Sequence, residues 1–281
     1  MKLSSPADVF IPDAHVGPEA FSRTTHLGIG AHQDDLEFMA FHGILACFDQ
    51  TDRWFGGVIM TDGRGSSRQG KYRDWTDAQM AAERIQEQRR AATLGQYGFV
   101  AQLGYASQDV RQSQAAATRG DIVTILQATR PKVVYLHNLA DKHDTHVGCA
   151  LRCLEALRLL PADQRPEKVY GCEVWRDLDW LVDEEKTPMP ISERPELAQK
   201  LNAIFATQIA GGKRYDLAVL GRRTANATFS SAHSSDRETS MQWAMDLTPL
   251  IKDDTLDPLA YVIGFVDRLK SDIAARIHRS L

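Results

Sequence analysis

A short apolar run that ends abruptly in ionisable residues is the feature that most restricts how this chain can fold. Leu27 to Ala31 is small and apolar enough for a buried strand, and His32, Asp34 and Asp35 follow it at once. Apolar residues then recur at helical spacing over residues 39–46. The three ionisable side chains therefore fall in a turn between a buried strand and a helix. In an open parallel sheet such turns lie at the carboxyl ends of the strands, where ligands bind.

Strand and helix patterns alternate from residue 25 to residue 220, which predicts an α/β fold with a Rossmann-like, mostly parallel sheet flanked by helices. The predicted strands are about 26–31, 54–60, 99–103, 133–136, 169–175 and 217–220. The predicted helices run to about 49, over 76–94, from a polar loop at 108–119 to about 130, and over 147–160, 195–209 and 257–277. The 281 residues contain no linker-like stretch, so we expect a single domain, 25–281, after an irregular lead-in, 1–24.

Charge and composition exclude several classes of partner. The net charge is −4, so no bulk electrostatic argument favours nucleic acid or an anionic membrane. No apolar run approaches the length of a signal peptide core or of a membrane span, so we expect a cytoplasmic protein. The four cysteines form no Cys-x-x-Cys pair and are predicted to be buried reduced thiols.

A later apolar strand is followed by a second ionisable turn, in which His143 and His146 are three residues apart. His32 and Asp35 have the same spacing in the first turn. Imidazole and carboxylate groups suit zinc, and a hydrolytic zinc site uses about three protein ligands and an open position for water. Two such turns therefore predict a metal site. With Asp34 there are five candidate groups, and those beyond the ligands can serve as a base and as an oxyanion-stabilising donor.

Three motifs, in this order along the chain, resemble those of the PIG-L/LmbE family of zinc-dependent de-N-acetylases, which act on N-acetylglucosamine-type sugars. The first is Ala-His-Gln-Asp-Asp-Leu-Glu at 31–37. The second is Arg-Ile-Gln-Glu at 84–87, which leads to Ala-Ala-Thr-Leu-Gly at 91–95. The third is His-Asp-Thr-His at 143–146. The resemblance spans most of the chain.

The resemblance implies roles for both ionisable turns. His32, Asp35 and His146 would be ligands of one Zn²⁺ per chain, with other divalent metals as alternatives. Asp34 would be the general base, and His143 would stabilise the oxyanion and donate a proton.

The third motif departs from the usual His-Pro-Asp-His of the family. Thr145 stands directly before the proposed metal ligand, and Asp144 is shifted by one position. Whether Asp144 or Asp141 orients His143 is therefore left open. The sequence patterns assign no role to the histidines at 15, 26, 42 and 137.

Substrate contacts are expected from polar groups near the two turns. The resemblance implies that Arg84 contacts substrate. Asp62 and Arg64 follow a predicted strand and can bind sugar hydroxyls, with a purely structural glycine turn as the alternative. His233 lies in a polar stretch that can form a late wall of the pocket or simply be exposed. Glu37 is either a support for the site or a carboxylate that stabilises the first helical turn.

The resemblance implies a zinc-dependent hydrolase that removes an N-acetyl group from an N-acetylglucosamine-type amino sugar or glycoconjugate and releases acetate and a free amine. The alternative is a catalytically inactive member that binds a sugar or a partner protein. A dinucleotide-binding domain is disfavoured because Gly28 and Gly30 lack the third glycine of that motif. A His-Asp phosphohydrolase is all helical and does not fit the alternation. Homo-oligomerisation is left open.

Overall fold

The computed structural model describes residues 1–13, 15–114 and 116–281, in which strands and helices alternate along the chain. The strands of these residues are β1 (Asp8–Phe10), β2 (Thr24–Gly30), β3 (Trp54–Thr61), β4 (Phe99–Tyr105), β5 (Val133–His137), β6 (Lys168–Cys172), β7 (Thr187–Pro190) and β8 (Met241–Asp246). The helices are α1 (Gly17–Ser22), α2 (Asp35–Met39), α3 (Phe41–Cys47), α4 (Asp77–Leu94), α5 (Ser107–Arg111), α6 (Ala116–Thr129), α7 (Asp144–Arg158), α8 (Pro195–Ala203), α9 (Ala206–Ile209), α10 (Tyr215–Thr228), α11 (Pro249–Lys252) and α12 (Pro258–Ser280). Ala14 of the predicted lead-in and Ala115 of the predicted 108–119 loop lie outside the described residues.

All eight strands form one sheet in the order β1-β4-β3-β2-β5-β6-β8-β7. The five strands from β4 to β6 in this order are parallel, whereas β1, β8 and β7 pair antiparallel at the two ends. The predicted α/β fold with a mostly parallel sheet is therefore confirmed. The chain runs outward from β2 through β3 to β4 and then returns to β5 on the other side of β2. The carboxyl ends of β2 and β5 consequently flank the switch point, where a crevice opens in sheets of this kind.

The central strands are apolar throughout because helices cover both faces of the sheet. Val134 and Leu136 of β5 pack into one hydrophobic cluster, and Tyr135 between them packs into the other. Successive side chains of a strand point to opposite faces, so one continuous apolar run supplies both clusters. The four cysteines are free and buried, as predicted.

Several predicted elements need correction. The helix expected to run to residue 49 is two helices, α2 and α3, because Ala40 leaves the helical conformation with φ −110° and ψ 19°. The strand predicted at 217–220 is wrong, since these residues lie inside α10. A four-residue apolar run does not distinguish a strand from one turn of helix. Part of the loop predicted at 108–119 is helical in α5 and α6.

The lead-in, predicted to be irregular, contains β1 and α1. Strand β1 pairs with β4 through Val9 and Ala101, and the Asp8 carboxylate is bound by Arg89. Helix α1 places Phe21 against the core. A strand of three residues is too short for a periodic pattern, which is why the sequence did not reveal it. None of the helices that the structure describes is long and apolar enough to cross a membrane.

Candidate metal and active site

The two ionisable turns meet at the switch point of the sheet. His32 and Asp34 lie in the turn after β2, and Asp35 is the first residue of α2. His143 is the N-cap of α7, which begins three residues earlier than predicted, so His146 lies in its first turn. Strands β2 and β5 pair directly, which brings the two turns together.

Three side chains converge with the spacing of a metal site. Nδ1 of His32 lies 3.2 Å from Nε2 of His146 and 3.4 Å from Oδ2 of Asp35. Nε2 of His146 lies 3.5 Å from Oδ1 of Asp35. Ligands about 2.0–2.1 Å from a tetrahedral zinc are about 3.3 Å from one another. The donor atoms and their spacing therefore fit a divalent metal ion such as zinc.

Asp141 contacts this group on the side of His146 that faces away from the other two side chains. Its Oδ2 lies 3.3 Å from Nδ1 of His146 and accepts a hydrogen bond from the main-chain N–H of Trp175 at 3.2 Å. Its Oδ1 accepts from the main-chain N–H of His143 at 3.0 Å. Asp144 is exposed. Of the two aspartates considered from the sequence, Asp141 is thus the one that enters the site, and it contacts the ring of His146 rather than that of His143.

The electrostatics keep these groups in the protonation states that a metal ligand needs. Burial opposes ionisation of Asp35, but the neighbouring His146 and His137 outweigh it and hold the pKa of Asp35 well below its ordinary range. Burial lowers the pKa of His146 to about 4, so its imidazole is neutral at physiological pH. Burial likewise opposes ionisation of Asp141, but the hydrogen bond with His146 holds the pKa of this carboxylate below its usual value.

His137, which the sequence analysis set aside, is part of the site. It ends β5, is fully buried and stacks on His146 with ring centroids 3.8 Å apart. Its Nε2 accepts a hydrogen bond from the N–H of Ala31 at 3.0 Å and lies 3.2 Å from Oδ2 of Asp35. Together with Asp141 and His146 it forms a second group whose ligand atoms are within 4.8 Å of one another. The only sequence signal was its position at the carboxyl end of a predicted strand.

Asp34 has an unusual backbone conformation, with φ 96° and ψ −30°. Few residues other than glycine adopt it, and such strain is concentrated at functional sites. Its N–H donates to Oε1 of Gln88 at 3.3 Å, and Nε2 of Gln88 donates in turn to Glu37 at 2.9 Å. Glu37 also accepts from Tyr97, and burial raises its pKa to about 7. Burial, opposed by the charge of Arg84, raises the pKa of Asp34 well above its ordinary range.

Arg84 holds Asp34 and the loop after β3 together. This buried residue of α4 lies 3.5 Å from Oδ1 of Asp34 and donates to the carbonyl of Gln33 and to Oγ of Ser66. The loop approaches so closely at Gly63, with φ +67°, that a Cβ there would lie 2.9 Å from Cδ of Arg84. Arg84 thus lies in the wall of the site, and all the contacts described here are with the protein itself.

The ring of His143 has a defined tautomer. The N–H of Thr145 donates to its Nδ1 at 3.2 Å, so the ring proton of the neutral form is on Nε2. Burial, aided by the nearby His32, lowers the pKa of His143. Its ring centroid is 5.0 Å from that of His32 and 4.5 Å from that of His146. A neutral N–H donor therefore stands beside the metal-ligand group.

A cavity of about 580 Å³ opens onto these residues. Its wall is formed by both ionisable turns, the loop after β3, Arg84, Trp175 and one face of α10. The α10 residues of this wall are Tyr215, Ala218, Val219, Arg222 and Arg223. They recur at the spacing of one helix face. The sequence did not reveal this face because the apolar run at 217–220 resembles a strand.

The other expected substrate contacts lie elsewhere. Asp62 and Arg64 form an ion pair with each other at 2.5 Å, and neither is in the described cavity wall, although their neighbours Gly63 and Gly65 are. His233 is exposed and outside this wall as well. Of the four residues expected to bind substrate, the structure therefore brings only Arg84 to the cavity.

Fold and site together define an open α/β domain with a candidate metal centre at the switch point of its sheet. Residues 27–157 match the family model described as PIG-L: GlcNAc-PI de-N-acetylase, which confirms the resemblance drawn from the motifs over this segment. No match to the sequence was found among curated proteins.

Solved structures show the same fold at low sequence identity. A 4-carboxy-2-hydroxymuconate hydratase from Pseudomonas putida is 17% identical with a TM-score of 0.59, over 80% of this chain and 96% of that one. A conserved protein from Thermus thermophilus is 18% identical with a TM-score of 0.60, over 80% and 94%. An N,N'-diacetylchitobiose deacetylase from Pyrococcus horikoshii is 16% identical with a TM-score of 0.57, over 78% and 83%. The family match supports a hydrolytic deacetylase. At these identities the solved structures show the fold alone, and their different descriptions, a hydratase and a deacetylase, illustrate that this fold does not fix the reaction.

Proposed function

We propose that this protein is a zinc-dependent hydrolase that removes the N-acetyl group from an amino sugar of the N-acetylglucosamine type, with release of acetate and a free amine. The observation that carries the proposal is the convergence of His32, Asp35 and His146, with donor atoms 3.2–3.5 Å apart, in one cavity with Asp34 and His143. The family description and the chitobiose deacetylase of the same fold support the choice of an acetylated amino sugar.

His32, Asp35 and His146 would hold the metal. A bound zinc ion supplies Lewis acidity, which polarises a carbonyl and makes water a stronger acid. The same mixed nitrogen and oxygen donors also accept other divalent metals, so zinc is the proposed ion rather than the only fitting one. Asp141 would position His146 through the hydrogen bond to Nδ1, as supporting carboxylates do for metal-bound histidines.

Asp34 would move the proton. Its carboxylate accepts a proton from the attacking water and delivers it to the amine nitrogen when the carbon–nitrogen bond breaks. Arg84 and Gln88 hold this residue in its strained conformation, one through the carboxylate and the other through the main-chain N–H. A single carboxylate can perform both transfers because they follow each other in the same cycle.

His143 would stabilise the oxyanion as a neutral hydrogen-bond donor. Because its Nδ1 already accepts from Thr145, the ring has one proton, on Nε2, to direct at the carbonyl oxygen. A donor placed where negative charge develops is worth most in the transition state. We therefore assign the proton for the leaving amine to Asp34 and not to His143, which revises the role implied by the motif alone.

The test is the release of acetate from a panel of N-acetylated sugars, beginning with N-acetylglucosamine and N,N'-diacetylchitobiose. The protein is assayed with zinc supplied, after chelation and after zinc is restored, with Asp34→Asn as the matched inactive control. We expect zinc-dependent acetate release from at least one sugar. Sugar binding without acetate release would favour the inactive sugar-binding alternative, and acetate release that survives complete chelation would contradict the metal assignment.

A further inference from the structure

The cavity is far more positive than the protein as a whole. Its wall contains five cationic side chains, Arg84, Arg111, Lys213, Arg222 and Arg223. It contains three carboxylates, those of Asp34, Asp35 and Glu173. The chain has a net charge of −4, so this excess of cations over anions is a property of the cavity and not of the composition.

The three carboxylates are already engaged. Asp35 faces the histidines of the metal-ligand group, and Asp34 lies beside Arg84. Glu173 accepts hydrogen bonds from the N–H of Leu178 at 2.8 Å, from Asn226 at 2.7 Å and from the N–H of Trp243 at 3.0 Å. Within the described residues, the four cations other than Arg84 have no carboxylate at ion-pair distance.

Arg223 is the most constrained of these cations. It is 2% exposed, and only Nη2 is hydrogen-bonded, to the main-chain carbonyls of Glu37 and Phe38. Its Nε and Nη1 are buried without a hydrogen-bond acceptor in the part of the chain that the structure describes. Burial lowers the pKa of Arg223 to about 9, against the opposing charge of Glu173, so the side chain is still charged at neutral pH. A buried cation with unused donors is costly unless a counter-charge arrives.

Two more cations lie close to Trp175, next to the ionisable turn that contains His143. The ring of Trp175 lies 6.4 Å from that of His143. Nζ of Lys213 lies over the Trp175 ring, 5.0 Å from its centroid. Arg222 donates from Nη1 to the carbonyl of Val174, the residue before this tryptophan. Lys213 and Arg222 thus lie at one edge of the cavity, and their positive charges are available to a ligand.

We propose that Lys213 and Arg222 form a subsite for an anionic group, a carboxylate or a phosphate, and that the substrate is an N-acetylated amino sugar that carries such a group. The guanidinium and ammonium groups supply charge-assisted hydrogen bonds to these oxygens. Arg223, behind the same face of α10, adds positive potential in a region shielded from solvent. The inference rests on the proposed function for the nature of the substrate, but the anion subsite itself can be tested without turnover.

The first experiment compares neutral and anionic substrates on the zinc-loaded protein at low ionic strength. N-acetylglucosamine is the neutral substrate, and N-acetylglucosamine 6-phosphate and N-acetylmuramic acid present a phosphate and a carboxylate. We expect kcat/KM to be at least about tenfold higher for one anionic substrate, which corresponds to one good charged contact. The double variant Lys213→Gln/Arg222→Gln should reduce this ratio by about tenfold. Lys270→Gln, an exposed lysine of α12 outside the cavity, is the matched control and should leave the ratio unchanged.

The second experiment measures binding alone. Calorimetry compares glucosamine with glucosamine 6-phosphate, both on the zinc-loaded protein and after chelation, so that direct binding of phosphate to the metal is separated from binding to the wall. Tighter binding of the phosphate in the chelated protein, lost in the double variant, supports the subsite. Equal affinities in the parent, or a preference that survives in a folded double variant, would overturn it. If no sugar releases acetate while this preference is present, the proposed function fails and the anion subsite stands.

Discussion

Oδ2 of Asp141 lies 3.3 Å from Nδ1 of His146, while Nε2 of the same ring faces Asp35. One imidazole is thus held by a carboxylate on one side and directed at the metal-ligand group on the other. The arrangement fixes both the tautomer and the orientation of the ring before a metal binds.

Removing this carboxylate should weaken metal binding without abolishing it. We expect Asp141→Asn to lower the affinity for zinc by roughly 10–100-fold, the usual effect of losing such a support. Competition with a fluorescent zinc chelator measures it. Asp144→Asn is the matched control, because Asp144 is exposed at the start of the same helix. Equal affinities for the parent and Asp141→Asn, or a larger loss in Asp144→Asn, would show that the assignment is wrong.

The adjacent residues Asp34 and Asp35 should have separable functions. Asp34→Asn keeps the side-chain shape and the metal but removes the proton acceptor, so we expect acetate release to fall by roughly 10²–10⁴-fold at unchanged zinc content. Asp35→Ala, His32→Ala and His146→Ala should each lose the zinc, since two remaining ligands are too few for tight binding.

Elemental analysis of the purified variants and a steady-state assay measure the two effects separately. Loss of zinc from Asp34→Asn together with full zinc in Asp35→Ala would mean that Asp34 is the metal ligand and Asp35 the proton acceptor. A parental rate in Asp34→Asn would remove it from the mechanism altogether.

The sequence predicted most reliably those features that a local pattern of apolar or polar residues marks. Continuous apolar runs predicted the strands that end at the two ionisable turns, and the polar residues after each run predicted where ligands would gather. Helix α4 was also predicted from the sequence, over 76–94, and in the structure a capping box of Thr76 and Gln79 stabilises its beginning.

Features that depend on contacts between distant segments were not predictable. The part of the cavity wall formed by α10 was not predicted from the sequence. The buried face of this helix includes Arg223 and Asn226, so its apolar residues alone do not show a helical period. The contact of Asp141 with His146 joins residues on either side of a turn whose sequence departs from the usual motif. Apart from its position at the carboxyl end of a predicted strand, His137 carries no local signal that separates it from a histidine buried in the core.

Acid should destabilise the protein through His26, a residue of β2 remote from the metal-ligand group. Burial, with smaller contributions from the charges of His42, Arg53 and Lys132, lowers the pKa of His26 to about 4 from an ordinary value of 6.5. Below pH 6.5 the unfolded chain therefore binds a proton that the folded chain does not, and the free energy of unfolding falls as the pH drops from 6.5 to about 4. Above pH 6.5 the group makes no pH-dependent contribution.

The comparison of the parent with His26→Asn isolates this group from the site histidines. Urea unfolding of both proteins at several pH values gives the difference in free energy, which we expect to change by roughly 2–3 kcal/mol between pH 7 and pH 4. The variant should lose less stability than the parent over this range. A difference that is independent of pH would mean that His26 titrates equally in the folded and unfolded states.

The tautomer of His143 makes the last prediction specific. If the ring acts only as a neutral Nε2–H donor, a side chain that offers an N–H at a similar distance should replace it in part, whereas one without a donor should not. We expect His143→Ala to lower kcat by roughly 10²–10³-fold, the usual effect of losing one oxyanion donor, and His143→Gln to retain a larger share of the parental rate.

Zinc content should be unchanged in both, because neither change removes a proposed metal ligand. His143→Leu, similar in size to Gln but without a donor, is the matched control and should behave like His143→Ala. If His143→Gln and His143→Leu are equally slow while both retain zinc, a group that transfers a full proton is required, and the leaving amine would receive its proton from His143 and not from Asp34.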